Sequence, residues 1–378
     1  MIALSTAMFL SFGAMQPFSQ IQRIVSSSGA VTIFEAVPSS KTLAIHLFAS
    51  AKGGQESPET HGRRHLLEHF IAKGRNSKLG ATLEQAGWTI SADTNRDFMT
   101  FKLEGPPNRW QVAFDAIGDI VSERVWTLEQ IAKERKIIEQ ELAVMPQETQ
   151  LGIQAWKAAF GDAGLDPFGT SESLSKVTSA DLQVLFAKQM AEDNLTISIV
   201  GPSPILQLES VCKRIFALSP KPGKAQWVRR TGTPRGYERV GSGSVAYATA
   251  PSYGHPTTAS VLAAALAIAS EGDSRFVTYT PSIFSGLVLV GSATDSAMNE
   301  AVEKLQSQGD RLYETGRQLA LSWVARQKQS TGSLAYWNGV FQTQAIGGSG
   351  DSLIQNIENM TLDQFQSGLR SFSSEKGV

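Results

Sequence analysis

The stretch Thr60–Gly74, THGRRHLLEHFIAKG, holds three of the chain's five histidines, and within it His65, Glu68 and His69 spell H-x-x-E-H. Residues four apart on a helix lie one above the other, so His65 and His69 can present two imidazoles to one metal ion. Glu68, one residue before the second imidazole, can bring a carboxylate to the same place. The chemistry open to such a set is metal-assisted hydrolysis, with Glu68 moving the proton. The competing reading is the polar face of a surface helix carrying two solvated histidines.

The helix must also anchor this face. At about 100° per residue, Leu66, Leu67, Phe70 and Ile71 gather on one side, and His65, Glu68, His69 and Ala72 on the other. The apolar side is expected in a core and the ligand side facing a cleft. Lys73-Gly74 closes the helix, since glycine accepts the left-handed conformation that ends one. A third ligand is sought on the helix that Thr127 opens with a capping box, Thr127-x-x-Gln130, and that runs to about Met145. There Glu134 and Glu141, seven residues apart, share a stripe with Ile131, Ile138, Leu142 and Met145, whereas Glu139 points elsewhere. A buried carboxylate costs several kcal/mol unless it is paired or binds a metal. Both glutamates are therefore third-ligand candidates, the alternative being that each pairs with an arginine of a neighbouring element. A closed structural zinc would need a fourth protein ligand. His61 is the nearby candidate, but the helix carries it past the His65–His69 pair.

Length and composition bound the rest. The chain has 378 residues, 42% of them hydrophobic, enough for two domains of ordinary size. A net charge of −1 gives no electrostatic case for nucleic acid. The single cysteine, Cys212, rules out an intrachain disulfide and a four-thiolate site, so zinc here must be held by nitrogen and oxygen. Met1 to Met15, MIALSTAMFLSFGAM, is an apolar leader too short to span a bilayer. It matches the hydrophobic part of a secretory signal, although no Lys or Arg precedes it; the alternative is a terminal element packed on the body of the protein. A signal peptide would place the protein in the periplasm or outside the cell, its absence in the cytoplasm. No later stretch reads as an integral membrane segment.

The expected organisation is a leader over 1–20, a metal-binding domain over 21–217, a linker over 218–240 and a second domain over 241–378. The linker rests on SPKPGKAQWVRRTGTPRG, rich in Pro, Gly, Lys and Arg and without apolar period. In the first domain a hairpin is expected around Ser26–Gly29, then a strand over Thr42–Ser50 in which His46 is packed rather than ligating. A short helix over Leu79–Ala86 and two strands around Asp93–Arg96 follow. Helices are then expected over Trp110–Val125, Gln154–Phe160, Ser179–Met190 and Pro204–Ala217, with a buried strand at Leu195–Val200. The second half has the same mixture of elements as the first. Strand Val245–Thr249, helix Thr257–Ala269 and strands Phe276–Tyr279 and Gly286–Val290 lead to helices over Ala297–Gln306 and Leu312–Gln327. It holds one histidine, His255, in a loop, and no second metal motif.

At GRRHLLEHFIAKG, and again at KERKIIEQEL with its Glu-x6-Glu pair, the chain resembles the pitrilysin family of zinc metallopeptidases, which includes insulin-degrading enzyme and the mitochondrial processing peptidase. SADTNRD is similar to the family's Asn-Ala-x-Thr segment, and LTISIVGP to the strand closing its first domain, so the resemblance covers roughly Gln22 to Pro202. It implies an α+β fold of two similar repeats, each a mostly antiparallel sheet covered by helices, with the second shortened. It implies one zinc ion held by His65, His69 and Glu141, Glu68 as general base, and Glu134 as a carboxylate orienting a ligand histidine. Ser91 and Ala92 correspond to the segment on which a substrate peptide adds as an edge strand, with Ser91 standing where the family has Asn. The implied activity is endopeptidase cleavage of extended or unfolded peptides. Family members also carry an Arg and a Tyr about seven residues apart in the second repeat; here Arg275 and Tyr279 are four apart and are not assigned that role. A homologous partner subunit supplying that pair, or a non-catalytic scaffold role, is the alternative expectation.

Overall fold

The computed structural model describes residues 21–378 except 52–55, 75–76, 222, 224–234, 273–274, 283–284, 296–297, 345–349 and 373–378. The leader expected over 1–20 and much of the linker expected over 218–240 lie outside the described residues.

In chain order the first part comprises β1 (Gln22–Val25), β2 (Val31–Ala36), β3 (Leu43–Ser50), α1 (Arg63–Lys73), α2 (Leu79–Gln85), β4 (Thr89–Thr94), β5 (Phe98–Gly105), α3 (Trp110–Val121), α4 (Leu128–Ala143), α5 (Gln147–Phe160), α6 (Ser171–Ser175), α7 (Ser179–Gln189), β6 (Leu195–Gly201) and α8 (Leu208–Phe216). Its six strands run β1-β2-β6-β3-β5-β4. Only β2 and β6 pair in parallel. β3, LAIHLFAS, is buried at every position, as a central strand covered on both faces must be. β4 sits at the sheet's edge and alternates between exposed and half-buried residues. One face of this sheet packs under α1, α3 and α8, with Ile45, Leu47 and Phe101 meeting Leu66, Leu67, Ile71 and Ile117 in one core.

The second part comprises β7 (Arg235–Val240), β8 (Gly243–Ala250), α9 (Pro256–Ser270), β9 (Arg275–Thr280), β10 (Gly286–Ser292), α10 (Met298–Gln306), α11 (Gly309–Arg326), α12 (Thr331–Thr343), α13 (Gly350–Glu358) and α14 (Leu362–Arg370). Its strand order, β7-β8-β10-β9, is antiparallel throughout. The unit β8-β10-β9, with α9 between β8 and β9, repeats β3-β5-β4, with α1 and α2 between β3 and β4. β7 lies beside β8 where β6 lies beside β3. The architecture is thus α+β in two similar repeats, the second smaller. The last residues of the expected linker are not a linker: Arg235–Val240 pairs along β8, with Tyr237 opposite Ala246. The Pro- and Arg-rich stretch before it masks a strand that ends in a tight turn at Gly241, φ 58°.

Each half also lends a helix to the other's sheet. Leu151, Ala155, Trp156 and Phe160 of α5 form one cluster with Val245, Tyr247, Leu287 and Leu289 of the second sheet. In return α12 lies on β3 and β6, where Ala335 meets Ala44 and Val200. At Gly339 any Cβ would overlap the Phe48 ring, so only glycine lets that helix come so close. Each large apolar side chain buried in these seams contributes about 1.5–3 kcal/mol, which makes the two repeats one packed body.

Candidate metal centre

α1 begins at Gly62, whose left-handed backbone (φ 85°) crosses Gly169; a Cβ on Gly62 would stand 2.7 Å from the Gly169 Cα. The next turn is fixed by Arg64, 1% exposed, which donates to Glu56 Oε1 at 2.7 Å and to the Asn95 and Arg96 carbonyls at 2.6 and 3.3 Å. The start of α1 is thereby tied to the β4–β5 turn. The helix is more enclosed than its two-faced pattern implies. His65 and Glu68 are each 8% exposed, so the ligand face does not simply look out into a cleft. The ring of Phe168 covers His65, edge to face at 5.5 Å, and α4 and β4 pack against the helix.

The two imidazoles do meet: His65 Nε2 and His69 Nε2 are 3.1 Å apart. Glu141 Oε2 lies 3.6 Å from the first and 3.4 Å from the second. Zinc bonds of about 2.0–2.2 Å to nitrogen and oxygen in a tetrahedron set donors roughly 3.3–3.5 Å apart, so these three atoms form a triangle of the right size for one ion. Glu68 belongs to the same cluster, its carboxylate and both imidazoles lying within 4.8 Å of one another. Glu141 reaches both rings from α4. Its side chain is nevertheless 49% exposed, contrary to the buried stripe expected of α4. Ile131, Glu134 and Ile138 of α4 are buried, but the helix's last turn runs past the cover, and the centre opens on that side.

Glu134 is the buried member of the pair. It accepts from Lys73 Nζ at 2.6 Å on both oxygens and lies 3.0 Å from His69 Nδ1. The expected alternative of arginine partners is not what is found; a lysine and a histidine, both from α1, take the carboxylate. A ligand histidine whose second nitrogen is held by a carboxylate has its tautomer and ring orientation set.

Burial pushes the His65 pKa down to about 4, helped by the neighbouring His69. This imidazole is neutral at pH 7, the form that binds metal. Burial also opposes charge on His69, but the Glu134 hydrogen bond and the charges of Glu68 and Glu141 outweigh it and raise its pKa. Burial of the Glu134 carboxyl is likewise outweighed by its bonds to His69 and Lys73, leaving its pKa low. Glu68 is pushed up to about 7 by burial, with Asp93 adding to the rise. A carboxyl poised there suits a general base at neutral pH.

Ser91 and Ala92 lie on β4, paired with Lys102 and Phe101 of β5. Their other side is the edge of the sheet among the described residues. Thr94, at the end of the same strand, donates to Glu68 Oε2 at 3.4 Å. Arg275 and Tyr279 stay within the second repeat: Arg275 Nη1 donates to the Ile268 carbonyl, and the Tyr279 ring stacks on Tyr253. His46 is packed as expected, and His255 caps α9, its Nδ1 accepting from Thr257 N.

Three residues of the neighbourhood escape sequence reasoning: Thr94, Asp166 and Phe168. The TNRD turn hints at the first; nothing in LDPFG points to the others, because they arrive from a distant loop. His61 is no fourth ligand. Its Nε2 lies 3.3 Å from Asp166 Oδ2. Burial lowers the His61 pKa but the Asp166 bond and charge raise it further, and Asp166 itself is held low, its own burial outweighed by His61. The raised His61 contributes stability that is complete below its unfolded pKa, about 6.5, and lost as pH rises through the folded value. The lowered Asp166 contributes above its unfolded pKa, about 3.9, and loses that contribution as pH falls through its folded value. Asp166→Asn should therefore cost most between about pH 4 and 6.5, on the order of 1–2 kcal/mol. Denaturant unfolding of both proteins at pH 5.5 and 8.5 checks this, the gap shrinking at the higher pH.

The two-repeat α+β architecture is shared with solved structures of M16-like peptidases. A protease from Helicobacter pylori superposes with a TM-score of 0.78 at 11% identity, over 94% of this chain and 96% of that one. An inactive peptidase M16 domain from Pseudomonas fluorescens does so at 0.76 and 14%, over 93% and 95%. Residues 31–160 match the family described as insulinase, Peptidase family M16. An uncharacterized zinc protease of Bacillus subtilis is 22% identical over 190 residues, 48% of this chain and 46% of that protein, so the match spans about half the relative's length. No helix among the described residues is long and apolar enough to cross a membrane.

Proposed function

We propose that this chain is the metal-bearing part of a zinc-dependent endopeptidase acting on extended or unfolded peptides. The observation that carries the reading is the triangle of His65 Nε2, His69 Nε2 and Glu141 Oε2, with sides of 3.1, 3.4 and 3.6 Å, beside the buried carboxyl of Glu68. Those three residues would hold one zinc ion, and Glu134 would keep His69 in the tautomer that offers Nε2. Zinc so held supplies Lewis acidity, polarising the substrate carbonyl and making water more acidic.

Glu68 accepts a proton from the attacking water as its oxygen bonds to the carbonyl carbon. It then returns that proton to the amide nitrogen, the C–N bond breaks, and a carboxylate and an amine leave. Thr94 steadies the Glu68 carboxylate. The peptide lies along β4, its backbone pairing with the free edge at Ser91 and Ala92, which requires extended substrate with its own backbone groups unpaired. A chelator should abolish cleavage of an unstructured peptide, stoichiometric zinc should restore it, and a tightly folded protein should remain uncut. Chelator-resistant cleavage would overturn the zinc reading.

A second reading is favoured by one observation: Arg275 and Tyr279 are both taken up inside the second repeat. If substrate must be gripped by such a pair across the cleft, a homologous partner subunit supplies it, or the chain is a non-catalytic subunit or peptide-binding scaffold. Gel filtration paired with activity separates these, full activity as a monomer counting against the partner.

A further inference from the structure

His69 is oriented by a carboxylate, but His65 is not: its Nδ1 is buried with no side chain to bond to. Its neighbour is the loop that follows α5, where the Phe168 backbone is close enough to the His65 imidazole to favour its protonation and the Phe168 ring stands perpendicular to the His65 ring at 88°. The loop is fastened on several sides. Asp166 Oδ1 accepts from Phe168 N at 2.8 Å while its other oxygen faces His61. A Cβ on Gly169, whose φ is +82°, would come 2.6 Å from the Gly62 Cα, so the two backbones touch where α1 begins. Upstream, Arg96 donates to the Gly164 carbonyl at 2.9 Å and its guanidinium lies 4.5 Å over Trp156. Trp156 and Phe160 belong to the cluster seated on the second sheet.

A continuous packed path therefore runs from Tyr247 and Leu289 through α5 to the loop and on to His65. We propose that Phe168 is the positioning residue for His65, and that the second repeat, which brings no donor to the metal triangle among the described residues, sets this ring through α5. The inference rests on the zinc reading above and gives the second repeat a part in it: a rigid backing for one ligand. An imidazole turned by a few tens of degrees no longer aims Nε2 at the point shared by His69 and Glu141, and loss of such an outer contact weakens metal binding by about 10–100-fold.

The test measures zinc affinity by competition with a chromophoric chelator, together with the visible spectrum of the cobalt-substituted protein and the unfolding midpoint of each metal-free variant. Phe168→Ala and Gly169→Ala should bind zinc about 10–100-fold more weakly and change the cobalt spectrum, while Phe168→Tyr, which keeps the ring edge, should stay within about twofold of wild type. Leu289→Ala, remote from the site, should shift affinity in the same direction by a smaller factor. If Phe168→Ala does not fold, Phe168→Leu, which fills the space without a ring edge, takes its place. Wild-type affinity and spectrum in Phe168→Ala, or equal losses in Phe168→Ala and Phe168→Tyr, would overturn the inference alone. A wild-type chain that binds no zinc would overturn both the inference and the function on which it rests.

Discussion

Glu68→Gln is expected to keep its zinc and to lose turnover on unstructured peptides by about 10²–10⁴-fold, the usual worth of a general base. Glutamine has nearly the same shape, so the packing of α1 against β4 and the bond from Thr94 can persist. What it lacks is a group that takes a proton. The environment makes Glu68 apt for that task, since burial pushes its pKa up to about 7 while His69 beside it pulls the other way. A bound cation nearby lowers the value again and keeps the carboxylate ionised at neutral pH. Zinc analysis alongside peptide turnover checks the prediction, and undiminished turnover in a zinc-loaded variant would remove Glu68 from this role.

Glu141→Ala should act on the metal itself. Two imidazoles four apart on one helix remain, but the triangle loses the donor that lies 3.4–3.6 Å from both. Catalytic zinc sites hold three protein ligands and leave one position open, so removing one of the three is expected to drop affinity by at least about 10²-fold, more than the loss of a contact beyond the ligands themselves. Activity should vanish at limiting zinc. Because Glu141 is half exposed on the last turn of α4, its loss leaves no buried group unpaired, and metal-free stability should change by less than about 0.5 kcal/mol. Glu134→Ala makes a useful contrast, since it takes the carboxylate partner from the largely buried His69, while Lys73, 42% exposed, can turn to water.

Local pattern made the core of the site legible. His65, Glu68 and His69 sit on one helix, and a four-residue spacing fixes their relation without tertiary knowledge. The seven-residue spacing of Glu134 and Glu141 selected the helix face that meets His65 and His69, and the Thr127–Gln130 capping box set its start, as both of its hydrogen bonds show. Exposure of Glu141 was not legible, because the pattern along α4 does not say where its neighbours stop. Nor was the place of Asp166 and Phe168, which reach α1 from a loop far along the chain. The exchanged helices α5 and α12 are likewise a matter of what packs where. An apolar stripe declares that it will be buried, but not under which sheet. β7 was hidden by its own composition, since Arg and Gly in a strand weaken the alternation that marks one.

The most direct test of the central claim is a crystal structure of the zinc-loaded protein with anomalous data at the zinc absorption edge. One peak per chain is predicted, with His65 Nε2, His69 Nε2 and a Glu141 oxygen all within about 2.0–2.2 Å of it. No peak at α1, or a peak bound by Glu68 with Glu141 turned away, would contradict it.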